Sequence, residues 1–332
     1  MAFAFIKHDT KIDFIGKRHI AYVISILLLL VGLGSALWGN GLRMGIDFAG
    51  GVIVQVQFAQ PVEDEVLKKS LDVPELPGIS TQRFGEGTRD YLLRFSSAEN
   101  TDAAALRTNV LAALAKAFPG NDVEIQRLEI VGPKVGDDLT NKALGALYYA
   151  TLLIAVYISG RFEQRWMAGV AMAAVLWGGM YLAGLTGLSM GWLVLVALGI
   201  TLVVCFVLKL NFALGALVGL IHDVFITVGL LSLMSVEIDL NVMAALLTLV
   251  GYSLNDTIIV YDRLRENLRA APKQPLDALI NRSVNQTLSR TILTSGTTFM
   301  ATLALYLLGG GVIHDFAYPL AHIVTAKYWQ QA

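Results

Sequence analysis

The run Leu240–Asn267, LNVMAALLTLVGYSLNDTIIVYDRLREN, decides how the rest of the chain is read. It opens as an apolar segment long enough to cross a bilayer, and its second half carries Gly251, Ser253, Asn255 and Asp256. It then leaves through the charged cluster Asp262, Arg263, Arg265 and Glu266. A carboxylate inside a span costs about 2.5–3.5 kcal/mol on insertion scales and more by other estimates, so such a residue faces a protein interior or a water-filled path. The stretch therefore predicts a polytopic α-helical membrane protein and makes Asp256 its first candidate functional residue.

Composition agrees. Hydrophobic residues make up 55% of the 332 and charged ones 15%, with mean hydropathy +0.61, against a charged share of about 25% in soluble domains. A net charge of -1 gives no basis for nucleic-acid binding. The lone Cys205 allows neither an internal disulfide nor a cysteine metal cage. The five histidines form no metal-ligand spacing, so no metal or cofactor is expected.

Working outward, residues 1–19 form a basic N-terminal segment and 20–38 a first transmembrane helix, retained because its apolar part exceeds a signal-peptide core. Residues 41–141 regain charge and punctuation. Strand patterns at 46–58, 79–84, 90–95 and 123–131 alternate with helix patterns at 61–71, with Pro61 in its first turn, and 101–118, capped by Thr101. A Gly-Glu-Gly turn separates the second and third strands. This β-α-β-β-α-β order is ferredoxin-like. Spans are then expected at 143–159, 166–185, 191–208, 210–234, 240–261 and 291–308, making seven with the first. Residues 262–290 form a charged, partly helical loop. Links on one side carry Arg161, Arg165, Lys209, Arg263, Arg265, Arg269, Lys273, Arg282 and Arg290. Those on the other carry only Glu237, Asp239 and Asp315. The asymmetry puts the N-terminus in the cytoplasm and 41–141 outside it. Residues 309–332, with Pro319 and His322, read as an atypical or truncated final span.

Four segments then resemble one family: GIDFAGG (Gly45–Gly51), LIHDVFITVG (Leu220–Gly229), GYSLNDTIIVYDRLREN (Gly251–Asn267) and SRTILTSGTT (Ser289–Thr298). In this order, spread over most of residues 12–316, they are similar to SecF, the smaller membrane subunit of the SecDF protein-export complex, related to the RND transporters. The resemblance implies a subunit of the bacterial cytoplasmic (inner) membrane that pairs with SecD beside the SecYEG translocon. Protons are its coupling ion and unfolded preproteins its cargo. The family's proton-pathway aspartate falls on Asp256 and its partner arginine on Arg290. Two departures stand out. The family has six spans, so a hairpin, 166–208, is inserted here, and it lacks the His-Asp pair of its neighbour. The family's last span is also altered after Asp315.

Each candidate has a plainer reading beside it. Asp256 sits roughly 24 Å along the helix from Leu240, where it serves either proton transfer or a helix-helix hydrogen bond. Arg290 suits a topology anchor, yet lies near enough to meet Asp256 if the last two helices pack. Asn255 either orients the Asp256 carboxylate or makes a packing contact. His222 and Asp223 are adjacent, so they should point to different faces and be poorly placed to couple; Asp223 either lines the same polar path or bonds a neighbouring helix. Gly215 and Gly219 form a packing GxxxG. Asp47 belongs to a turn or strand start. The rival functions are a small-molecule RND-type transporter subunit, an intramembrane aspartyl protease built on Asp223 and Asp256, and an inactive scaffold. The protease reading lacks a Gly-x-Gly-Asp signature, since Ser-Leu-Asn precedes Asp256.

Overall fold

The computed structural model describes residues 10–38, 41–71, 79–83, 89–95, 103–184 and 189–308. The chain forms two compact units: Met44–Lys142 with Ile238–Leu240, and a helical unit containing the remainder.

In the first unit, β1 (Gly51–Phe58), β2 (Ser80–Arg83), β3 (Asp90–Phe95) and β4 (Val123–Val131) make one antiparallel sheet in the order β2-β3-β1-β4. Helix α2 (Ile46–Ala49) precedes β1, α3 (Asp64–Ser70) joins β1 to β2, and α4 (Ala103–Ala117) joins β3 to β4. The period-two pattern buries Val52, Val54, Val56 and Phe58 on one face of β1, with Tyr91, Leu93 and Phe95 beside them on β3. Leu106, Val110 and Leu114, spaced at four, turn α4 onto that face. The core is therefore a single helix-on-sheet layer.

Several boundaries differ from the sequence reading. The strand expected at 46–58 begins only at Gly51, because Ile46–Ala49 closes a helical turn and Gly50 and Gly51 take φ of 72° and 138°. Those left-handed angles suit glycine and end the turn. Helix α3 starts at Asp64, after Glu63 rather than at Pro61. Thr101, Phe84 and the Gly-Glu-Gly turn lie outside the described residues, as does everything after Leu308, including the atypical final segment.

The GIDFAGG turn makes a set of close contacts inside this unit. The Gly45 N–H donates to the Ile238 carbonyl at 2.8 Å, and Met44 pairs with Ile238 in a parallel bridge. The Leu240 N–H donates to Asp47 Oδ2 at 2.9 Å. Gly136 approaches so closely that a Cβ there would meet the Phe48 carbonyl oxygen at 2.6 Å.

The second unit is built from α1 (Arg18–Trp38), α5 (Pro133–Glu163, entering it at Ala143), α6 (Trp166–Gly184), α7 (Met190–Val207), α8 (Asn211–Leu233), α9 (Leu240–Ala270) and α10 (Leu276–Leu308). Among the described residues, six of these, α1, α5, α7, α8, α9 and α10, are long and apolar enough to cross a membrane by length and composition. Helix α6 is apolar over Trp166–Gly179. The expected loop 262–290 is almost wholly helical. Helix α9 runs on to Ala270 and α10 begins at Leu276, and their charged ends are joined by the Asn267 amide donating to Ser283 Oγ (2.8 Å) and Gln286 Oε1 (3.0 Å).

Two devices order the helices. Gly32 of α1 meets Gly229 of α8 backbone to backbone: a Cβ on Gly32 would lie 2.8 Å from the Gly229 Cα. Ser35 and Ser232 pair one turn along at 3.0 Å. Small residues permit this close crossing. At the α5–α6 turn, the Glu163 carboxylate accepts the Phe212 N–H at 2.8 Å, at the start of α8. Arg165 Nη1 donates to the Leu208 carbonyl at 2.7 Å, at the end of α7. An acid on a helix N-terminus and a base on a C-terminus each satisfy orphan backbone groups and complement the helix dipole. The two short turns are thereby locked together.

Candidate functional site

Asp256 lies on the buried face of α9, 5% exposed, one turn beyond Ser253, which is also 5% exposed. The spacing of three puts both side chains on one stripe of the helix. Leu246, Leu249, Val250 and Leu254 are buried along the same helix. Asp256 is therefore a carboxylate removed from bulk solvent deep in a helix of spanning length.

Asp223 faces α9 from α8, roughly 18 Å along α8 from Asn211, about the middle of that helix. Ser253 Oγ donates to Asp223 Oδ2 at 2.5 Å, a bond to a charged acceptor that joins the two helices directly. The other oxygen, Oδ1, lies 3.1 Å from His222 Nδ1. This corrects the sequence expectation for these neighbours. A separation of about 100° per residue does not stop two flexible side chains from bending toward each other, and His222 and Asp223 do couple.

Arg290 sits on α10, and the structure does not bring it to Asp256: the carboxylate is buried and the arginine exposed. The reason is the helix's own pattern. Leu279, Ser283, Thr287, Thr291 and Ser295, spaced at four, form the buried stripe of α10. Arg290, one residue before Thr291, lies about 100° off it. Asn255 is exposed for the same reason on α9 and does not orient the Asp256 carboxylate. Ser253 is the residue the sequence reading passed over. Its signal was present, since a hydroxyl three residues before an intraspan aspartate shares its face. No cluster of three or more His, Cys, Asp or Glu side chains capable of holding a metal occurs among the described residues.

Comparison with known proteins gives this geometry a family. A family described as protein export membrane protein SecD/SecF, C-terminal, matches residues 110–188 and again 185–327, and the SecD/SecF GG motif matches 35–62. The junction of the two longer matches falls between α6 and α7. The protein translocase subunit SecF of Calditerrivibrio nitroreducens is 36% identical over 326 residues, covering 97% of this chain and 91% of that protein. SecF of Magnetococcus marinus is 40% identical over 313 residues, covering 94% and 85%. The crystal structure of SecDF, a translocon-associated membrane protein from Thermus thermophilus, superposes with a TM-score of 0.70 at 27% identity. That match covers 98% of this chain and 38% of the longer SecDF chain. With these matches over almost its whole length, the chain belongs to the SecF family of protein translocase subunits.

Proposed function

We propose that this protein is the SecF subunit of a bacterial inner-membrane export complex, and that with SecD beside the SecYEG translocon it couples proton movement to preprotein export. The observation that carries the reading is Asp256, a carboxylate held on the buried face of a spanning-length helix. A carboxylate in such a place can pair with an approaching cation, and proton exchange there would be coupled to that pairing. Arg290 is that cation. Its exposure in this structure fits a pair that closes in one state of the cycle and opens in another. The work is binding and conformational change, with no covalent bond of the preprotein made or broken.

Partnering with SecD is supported by surface chemistry. Helix α1 is almost bare, and Asn255 is exposed within a spanning-length helix, where lipid is a poor neighbour for an amide. The basic links support an N-terminus in the cytoplasm and the 41–142 region outside. Its strand order and β-α-β-β-α-β succession support a ferredoxin-like domain. The paired family matches support an extra hairpin, α6–α7, between two halves of the usual bundle.

The experiment is complementation. The chain is expressed with an affinity tag in cells depleted of their own SecF, and both export of a secreted reporter and recovery of SecD are measured. Restored export with SecD in the purified fraction is expected. Restored resistance to small toxic compounds, without an effect on export, would instead favour a drug-transport role.

A further inference from the structure

The GIDFAGG turn has so far been given no task, and its contacts assign it one. From the structure we infer that Gly45–Asp47 is a clasp on the start of α9, and that Asp47 is a positioning residue for the helix that carries Asp256. Both sides of the clasp belong to the same compact unit, which includes Ile238–Leu240 as well as Met44–Lys142.

A side-chain contact and a backbone contact build it. The Leu240 N–H, at the first residue of α9, donates to Asp47 Oδ2 at 2.9 Å across 193 positions of sequence. A helix leaves its first four N–H groups without intrahelical partners, and the adjoining dipole end favours negative charge. A carboxylate brought in from a distant turn satisfies both. The Gly45 N–H donates to the Ile238 carbonyl at 2.8 Å, part of the bridge between Met44 and Ile238, so Ile238, two residues before α9, is held by backbone as well. Space at Gly45 is tight: a Cβ there would sit 3.1 Å from the Asp239 Cβ and 3.2 Å from the Ile238 carbonyl oxygen. The first glycine and the aspartate of the motif thus act on one target, and Gly50 and Gly51 turn the chain away into β1. Helix α9 is continuous from Leu240 to Ala270, and Asp256 lies 16 positions on from the clasped residue.

The inference rests on the proposed role of Asp256, and the test keeps the two apart. The chain is purified with its SecD partner as Asp47→Ala and Asp47→Asn variants, and as Asp47→Ala carrying the pair Gly45→Cys and Asp239→Cys. Hydrogen exchange of the Leu240–Met243 amides reads the clasp directly, and export in depleted cells reads its consequence. In Asp47→Ala, exchange in that first turn is expected to rise at least tenfold and export to fall several-fold at unchanged membrane level. Asp47→Asn, which keeps an acceptor oxygen, should recover most of both. Oxidising the cysteine pair should restore export to Asp47→Ala and reduction should remove it again, a reversibility that a general folding defect would not show. Unchanged exchange in Asp47→Ala, a pair that will not cross-link, or a cross-link that leaves export lost would each overturn the clasp. If exchange and rescue behave as expected while Asp256→Asn exports normally, the clasp stands and the proton role of Asp256 falls.

Discussion

At the level of single residues, the decisive bond is the one from Ser253 to Asp223. Its removal in Ser253→Ala leaves a carboxylate oxygen without its donor between two helices. Hydrogen bonds to charged groups contribute about 1.5–3 kcal/mol in water-soluble proteins, but measured interhelical bonds in membranes average ~0.6 kcal/mol. A loss of about 1 kcal/mol is therefore expected in Ser253→Ala, read as earlier unfolding in a detergent titration, with Ser253→Thr close to the parent. A Ser253→Ala protein as stable as the parent would mean that the bond carries no net energy. Asp256 was legible in the sequence because an acidic residue inside an apolar helix is rare and costly. The partners of Asp223 were not. Which side chains lean toward one another depends on rotamers and on the facing helix, and neither is written into spacing along one helix. The same limit hid the exposure of Asn255 and Arg290, which follows from stripes set by Ser253, Asp256, Ser283, Thr287 and Thr291.

Between elements, two contacts hold α1. One is the glycine crossing with α8. Gly229→Val places a branched side chain where even a Cβ would lie 2.6 Å from the Gly32 Cα, and overpacking of this kind costs about 1–3 kcal/mol. Cysteines replacing Ser35 and Ser232, whose Oγ atoms are 3.0 Å apart, should cross-link efficiently in the parent and poorly in Gly229→Val; equal yields would mean the helices part without cost. The other contact is a strap before α1. Asn285 exchanges two hydrogen bonds with the Ile12 backbone (2.9 and 2.8 Å), and Asn281 accepts the Phe14 and Ile15 N–H groups (3.0 Å each) while donating to Asp13 (2.7 Å). Hydrogen bonds from the Gly16 N–H and the Asn281 amide hold the Asp13 carboxyl below its usual range. The first of these bonds lies within the strap itself, so only the Asn281 part favours the docked form above about pH 4, and that part is lost as pH falls through the docked value. Limited proteolysis within the strap should therefore speed up on acidification, and Asp13→Asn should remove that pH dependence. A cleavage rate that ignores pH in the parent would contradict the strap. No periodicity announces such an arrangement, because both asparagines read their partner through its backbone.

For the whole molecule, the sequence reading of a polytopic helical protein with a small α+β region holds because hydropathy and strand alternation are long-range signals averaged over many residues. The anchoring of α6–α7 through Glu163 and Arg165 was not legible in the sequence. Those contacts place Arg165 against the Leu208 carbonyl, so the ends of the insert already meet. Deleting 166–207 and joining Arg165 to Leu208 is expected to leave SecD binding intact, since lipid replaces the lost apolar contacts at little cost. Loss of SecD from the purified fraction would make the hairpin part of the interface. The most direct measurement remains export of a secreted reporter in SecF-depleted cells carrying either this chain or Asp256→Asn at matched membrane levels. Proton coupling through Asp256 predicts restored export with the first and the level of uncomplemented cells with the second. Equal export from both would contradict it and leave Asp256 a packing residue.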